Sequence, residues 1–408
     1  MNLSVNSEIG LLEGVIVHTP GNEVSLVNPE LKDELLFDDI IFEEDARKEH
    51  LDMLKIFDAA MPENGQIYEI TDLFLECLQS EEARAFAIEK LIKRLTAENL
   101  HTIEQELLEL DPRNLLRFII EGFTPSVNGF TMHPTPNMLF TRDLAAMVGS
   151  NILLSRPAKA VRMREAILME TLIEFHPLFA QVKHNVIKTA EQESIEGGDV
   201  LVVSDKVVLI GMSERTSFSG LMTAAGKLLN QGIEHVLAVD IPKQRSSMHL
   251  DTIFTFANRS ECIVFPPAIT ERHDNVVALT SNNDKIIAET QPSLKQALEE
   301  RLDHDFTFIN CGGPQRTNQF REQWTDGANV LALAPGIIVG YERNTNTFRE
   351  LEEHGYQLMN QYDFIEEYKD APFDPADRKI AISFLGHELC RGRGGARCMT
   401  MPIKRATS

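Results

Sequence analysis

One outline recurs four times along the chain: a polar or glycine-rich start, an apolar strand, a tight turn and a second apolar strand. It is found in "FTRDLAAMVGSNILLSRPA" (140–158), "EGGDVLVVSDKVVLIGMSERT" (196–216), "HLDTIFTFANRSECIVFPP" (249–267) and "GANVLALAPGIIVGYERN" (327–344). Gly-Ser-Asn, Ser-Asp-Lys, Asn-Arg-Ser and Pro-Gly punctuate the turns, as hairpins require. Apolar spacing of three and four residues predicts helices over 159–176, 217–232 and 346–359 after three of the hairpins, and over 292–303 further downstream of the third. "LLEGVIVHTPG" (11–21) and "CMTMPI" (398–403), from opposite ends of the chain, supply the strands of a fifth unit. Strand-and-helix units at roughly 50-residue intervals suggest a closed radial array. Pairing the ends would close it and would bring Cys398 from the edge of the sequence to the middle of the molecule. Residues 71–123 break the rhythm as almost continuous helix, with joints expected at 60–66 and 124–129. The expected organisation is a single domain over 1–408 carrying a helical insertion at 71–123.

The starts of the hairpins carry the reactive side chains. Asp143 opens the first, Glu196 and Asp199 the second, and His249 and Asp251 the third. If His249 and Asp251 lie in a strand, two residues apart, they point to one face. A lone aspartate before a strand usually caps a turn, and a lone histidine on an apolar strand is usually a core group. Equivalent positions in repeated units are a different matter, because a radial array makes them converge. Convergence would bring together several carboxylates, one imidazole and one thiol.

Cysteine with histidine is a nucleophile with a proton shuttle. Carboxylates beside a thiolate oppose acyl transfer, which needs oxyanion donors. They suit a planar cation. A guanidinium presents five donors in a fork that matches carboxylates, keeps its charge at any working pH, and favours the thiolate of a neighbouring cysteine. The residues therefore point to a guanidine-modifying enzyme.

Bulk properties agree. A net charge of −23 argues against nucleic acid or anionic membrane as a partner and suits a cationic small substrate. No apolar run approaches membrane-spanning length, and "MNLSVNSEIG" has neither the basic nor the apolar part of a signal peptide. Cys77, Cys262, Cys311, Cys390 and Cys398 are odd in number and lack CxxC spacing, which predicts no zinc ribbon, no disulfide framework and a cytoplasmic home. Metal hydrolysis through His249 and Asp251 would want a second histidine at ligand spacing, which is missing.

In order, "PNMLFTRD", "EGGDVLVV", "GMSERTS", "MHLDTIFTF" and "GGARCMTMPI" resemble the motifs of the arginine deiminases, as does "LLFDDIIFEEDARKEH" (35–50). The resemblance runs from about residue 8 to 403 and includes the helical insertion. It implies an α/β fold, a five-bladed pseudo-symmetric α/β propeller, without metal or cofactor and commonly a homo-oligomer. It implies L-arginine as substrate. Cys398 would attack the guanidinium carbon. His249 would protonate the departing ammonia and then activate water. Asp143 and Asp251 would clamp the guanidinium, Glu196 would hold nitrogen and histidine in place, and Asp199 would be structural. The α-carboxylate would meet Asn137, Arg162 or Arg164, Arg215 and Arg393, with Leu36 and Phe140 completing the substrate contacts. Phe140 either stacks on the guanidinium or is strand core. Arg397 is given no contact, and the glycine-rich loop around Arg393 could fold over substrate. The remaining readings are amidino transfer, agmatine deimination, a dihydrolase releasing two ammonias, and a catalytically silent arginine-binding protein.

Overall fold

The computed structural model describes residues 2–95, 100–124, 127, 130–283, 285–369 and 372–407. Most of the second expected joint, 124–129, lies outside them.

Five sheets are built on one plan: an antiparallel hairpin, a crossover, and a strand parallel to the hairpin's second strand. In the first complete unit Ala145–Val148 pairs antiparallel with Asn151–Leu154, helix Glu165–Phe175 crosses over, and Val186–Ile187 returns in parallel. The second repeats this with Val200–Val202, Val207–Met212, helix Phe218–Asn230 and His235–Asp240. The third uses Phe254–Asn258, Glu261–Val264, helix Leu294–Leu302 and Thr307–Asn310. In the fourth, Leu331–Ala334 and Ile337–Tyr341 are followed by helix Thr345–Glu353 and strand Gln357–Asn360. A second helix, Gln361–Tyr368, leads to Ile380–Phe384, which inserts between Ile337–Tyr341 and Gln357–Asn360. A crossover helix is the usual way to bring the next strand back in parallel, because a tight turn can only reverse it.

The fifth sheet joins the two ends of the sequence. Met401–Arg405 pairs antiparallel with Leu12–Val17, which lies parallel to Gln66–Glu69 after the crossover helix Glu43–Ala60. That helix and its strand had no counterpart in the sequence reading.

Three local expectations change. The helix expected over 346–359 stops at Glu353, because Gly355 turns the chain at φ +88° and Gln357–Asn360 is a strand. The stretch between the third hairpin and its helix forms a further hairpin, Val276–Asn282 with Lys285–Gln291, which extends the second unit's sheet. The 71–123 stretch is four helices, Ile70–Cys77, Glu81–Ile92, Leu100–Glu109 and Pro112–Glu121. The Ser80 hydroxyl accepts from the Ala83 N–H and the Asp111 carboxylate from those of Arg113 and Asn114, each capping a new helix start. Ile70–Cys77 and Glu81–Ile92 pack against the first unit's helix Glu165–Phe175, and Phe74, Leu107, Leu115 and Phe118 belong to one continuous core with Val148, Ile152 and Ile403.

The reactive side chains do not begin strands. They sit on single 3₁₀ turns before the first strand of a hairpin, or on the extended residue that opens such a turn: Asp143 in Thr141–Leu144, Glu196 before and Asp199 in Gly197–Asp199, His249 before and Asp251 in Leu250–Thr252. The expectation that His249 and Asp251 share a strand face is therefore corrected. The strand starts only at Phe254, and the backbone changes from extended at His249 to a 3₁₀ turn at Asp251, so the strand alternation does not apply to the two side chains. His249 reaches toward Glu196 and Asp143, and Asp251 toward Cys398.

Candidate active site

The turns converge because the backbone between them is stripped of side chains. A Cβ on Gly198 would sit 2.7 Å from the His249 ring, and one on Gly197 would sit 2.2 Å from the Arg142 carbonyl oxygen. The two glycines of "EGGD" are there for close approach.

Cys398 lies in the loop before the terminal strand, 4% exposed. Asn329 fixes that loop. Its Oδ1 accepts from the N–H groups of Cys398 (3.0 Å) and Gly395 (3.1 Å), while its Nδ2 donates to the Asp251 carbonyl (2.9 Å). One side chain thus ties the thiol's backbone to the turn that carries an acid. The sulfur is 3.6 Å from Asp251 Oδ2. Burial pushes its pKa well up, and Asp251, Asp143 and Asp326 push the same way against the weaker pull of Arg397.

His249 Nε2 meets Glu196 Oε2 at 2.8 Å, and its Nδ1 lies 3.6 Å from Asp143 Oδ1. Burial lowers the imidazole's pKa, but Asp143, Glu196 and Asp199 outweigh it and hold the ring at about 9, an imidazolium at neutral pH. Burial would raise Glu196, yet His249, Arg215 and Arg162 bring it to about 2. Its other oxygen accepts from the Ala158 N–H.

The two remaining acids are arranged alike. Asp143 Oδ2 accepts from Arg162 Nη1 at 2.5 Å, and Asp251 Oδ2 accepts from Arg397 Nη1 at 2.7 Å. The second oxygen of each, Asp143 Oδ1 and Asp251 Oδ1, is buried without a hydrogen-bond partner. A buried carboxylate oxygen left unpaired is costly. Two of them beside one thiol and one imidazolium make an acceptor pair suited to a cationic donor, with Asp143 lining the space at the thiol and Asp251 and Glu196 set back from it.

Arg397 supports the site from behind. No substrate contact was expected of it and it does not line the space at the thiol, but it is fully buried, forked onto Glu8 at 3.0 and 3.1 Å, and bonded to the Val200 carbonyl besides Asp251. Arg162, expected at the carboxylate end, spends donors on Glu165 (2.9 Å), Asp143 and the Asn137 carbonyl (3.2 Å). It lines the site, whereas Arg164 turns away to the His133 carbonyl. Arg215 lies 3.8 Å from Glu196 with a buried, unpartnered Nε, and Arg393 has unpartnered Nε and Nη1. Asn137 donates to the Leu35 carbonyl, and the Phe140 ring packs against Gly394. Leu36 sits outside the lining, at φ +64°, its carbonyl held by Arg245.

Asn137, Phe140, Asp143, Arg162, Arg215, His249, Arg393 and Cys398 all line one space of about 10 Å³, room for one water at most. Arg245, Met248 and Gly392 line it too, without having been singled out from the sequence. Asp199 stands behind the site. It accepts from Ser213 Oγ, Thr216 Oγ1 and the Leu250 N–H, and burial holds it at about 7. Asn329 had a signal that went unused, since it holds in "GANV" the place that the acids hold in the other hairpins.

Asp143, Glu196 and His249 present ligand atoms within 4.8 Å of one another. Arg162, 2.5 Å from Asp143 and 3.7 Å from Glu196, already supplies positive charge there, and an imidazolium has no lone pair for a metal. This donor set suits proton transfer better than a metal ion.

The class follows from the fold. The chain superposes on the amidinotransferase SxtG from Microseira wollei with TM-score 0.57 at 13% identity, covering 100% of this chain and 98% of that one. It superposes on the N-terminal domain of ArgZ, a cyanobacterial arginine dihydrolase, with TM-score 0.53 at 14% identity, covering 96% and 97%. At such identities the likeness is one of fold. Sequence carries the second step. The arginine deiminase family profile matches residues 124–405. Proteins named arginine deiminase from Listeria monocytogenes serovar 1/2a and Bacillus thuringiensis subsp. konkukian are 32% and 33% identical, each over 99% of this chain and 98% of their own. The chain belongs to the arginine deiminase family.

Proposed function

We propose that the protein hydrolyses free L-arginine to L-citrulline and ammonia through a covalent intermediate on Cys398. The observation that carries this reading is the pair of unpartnered carboxylate oxygens, Asp143 Oδ1 and Asp251 Oδ1, flanking a thiol and an imidazolium. Burial first, and then the neighbouring acids, keep the thiol protonated; a guanidinium brings donors to both oxygens and offsets the charges of Asp143 and Asp251. The thiolate thus forms in the complex rather than in the free enzyme.

Sγ bonds to the guanidinium carbon as its proton passes to solvent. His249 gives its proton to the departing nitrogen, the C–N bond breaks and ammonia leaves, so that a thiouronium remains. The neutral imidazole, held by Glu196, takes a proton from water as the oxygen adds to carbon. The C–S bond breaks as sulfur recovers a proton from the adduct's new hydroxyl, citrulline leaves with its new oxygen, and the proton first given to solvent departs with ammonia as ammonium. The unpartnered donors of Arg215 and Arg393 support a carboxylate grip at the other end of the substrate.

We read the five sheets as the blades of a five-bladed α/β propeller in one catalytic domain, with 71–123 inserted. Their shared strand order and the end-to-end closure support this. The five free thiols support a reducing cytoplasm.

The test is incubation with L-arginine, assayed for citrulline, ornithine and ammonia. One ammonia per citrulline is expected. Ornithine with two ammonias would overturn deimination in favour of a dihydrolase, and no turnover would leave only binding.

A further inference from the structure

Trp324 closes the helix Arg316–Trp324, 45% exposed, and is the chain's single tryptophan. The Arg393 guanidinium carbon lies 3.7 Å from the centre of its ring. At that separation the guanidinium lies flat on the ring, so its N–H groups, which lie in its own plane, stay free. Among the described residues the Arg393 side chain otherwise makes one long hydrogen bond, 3.5 Å, from Nη2 to the Ser246 carbonyl, and its Nε and Nη1 are buried without hydrogen-bond partners. Its backbone is at φ +63°, which ties the side chain's direction to the loop. The neighbouring Gln323 bonds to the carbonyls of Ser246 and Thr252, so the helix end is fixed to the very turn that carries His249 and Asp251. An otherwise loosely held arginine thus rests on an aromatic platform anchored to the catalytic turns.

We infer that Trp324 is a positioning residue for substrate specificity, which holds Arg393 by its face and leaves its edge open to the ligand's carboxylate. The inference rests on the arginine-hydrolysis reading and goes beyond it. Stacking and in-plane hydrogen bonding use different surfaces of the guanidinium, so the platform and the carboxylate do not compete. Trp324 touches neither the reacting carbon nor Cys398, so its loss acts on binding of carboxylate-bearing substrates and not on the chemical step.

The test is steady-state kinetics of wild type, Trp324→Leu and Trp324→Phe with L-arginine and with agmatine, which lacks the carboxylate. Trp324→Leu should raise KM for L-arginine by about 3- to 30-fold with kcat nearly unchanged, leave the agmatine constants almost where they were, and be partly rescued in Trp324→Phe. An unchanged KM for L-arginine, or a fall in kcat alone, overturns the inference. A second measurement needs no change at Trp324. In Cys398→Ala, which cannot turn over, L-arginine should give a saturable change in tryptophan fluorescence and agmatine none. Calorimetric binding of L-arginine with silent fluorescence overturns the inference. If wild type forms no citrulline from L-arginine, the proposed function fails first and takes this inference with it.

Discussion

Replacing Glu8 by glutamine should destabilise the protein markedly at neutral pH, although Glu8 lies far from the thiol in sequence. Glu8 accepts both prongs of the Arg397 guanidinium and the Val202 N–H. Burial pushes its carboxyl up, but Arg397, Arg142 and Arg405 outweigh burial and bring it from 4.5 to about 2. A carboxyl lowered this far on folding contributes about 3 kcal/mol, since one pKa step is worth about 1.4 kcal/mol. Because the folded value is the depressed one, the contribution is fully present above pH 4.5 and is lost as pH falls toward 2. Glu8→Gln should therefore unfold at a lower urea concentration than wild type at pH 7, by about 3 kcal/mol, and the gap should narrow below pH 4.5. Arg397, half released, should hold Asp251 less firmly, so kcat/KM for L-arginine should drop roughly 10- to 100-fold even where the variant is fully folded. Paired urea titrations at pH 7 and pH 4 and a citrulline assay measure both effects. Equal midpoints at pH 7, or a gap that widens on acidification, would refute the reasoning.

Cys398 in the free enzyme should react with iodoacetamide slowly at pH 7 and faster as pH rises beyond 9, with L-arginine protecting it; peptide mapping that finds Cys262 or Cys311 labelled first would count against its role. Asp143→Asn keeps shape and removes a charge, and should cost about 2–4 kcal/mol in kcat/KM. Asp199→Ala should lower the melting temperature more than it lowers kcat, because it abandons Ser213, Thr216 and the Leu250 N–H; a stable but inactive variant would reverse that assignment. Asp326 is buried with both oxygens unpartnered, and burial raises its carboxyl to about 7 against the pull of Arg393. A raised carboxyl costs stability above its unfolded value of 3.8, fully so above 7. Asp326→Asn should then stabilise by up to about 4 kcal/mol at pH 8 and not at pH 3, measured by thermal unfolding at both.

The hairpins were legible because turn residues and apolar runs are local signals, and "VGSN" or "APGI" needs no tertiary partner to be understood. Pairing of the chain's ends was legible only through the repeat, which left one unit short of a hairpin. The extra hairpin Val276–Gln291 could not be assigned to a sheet, because its partner His235–Asp240 belongs to the preceding unit. Helix Glu43–Ala60 fell in a stretch dense in acids whose apolar face is thin, and packing against the fourth sheet's helix decides it. In the site, the side chains named from the sequence came from the repeated turns and the terminal loop. Arg397 and Trp324 act through groups distant in sequence, and a single sequence carries no mark of such pairings; Asn329 is marked only by its place in the fourth repeat.

Cys398, the proposed nucleophile, lies just before Met401–Arg405, the strand that closes the fifth sheet. Leu12 faces Arg405 across the closing sheet, so almost the whole chain separates two neighbours. During synthesis the acids and the imidazole belong to units already made before Cys398 exists, and the thiol arrives only when the two ends meet. Closing so long a loop is slow compared with forming a local hairpin. Folding therefore passes through a stage in which the other units are formed and the proposed site is incomplete, and the step that completes the sheet also completes that site. Substitutions at Val15, Ile16 or Met401, which face partners across that seam, would lengthen that stage without touching any reacting group.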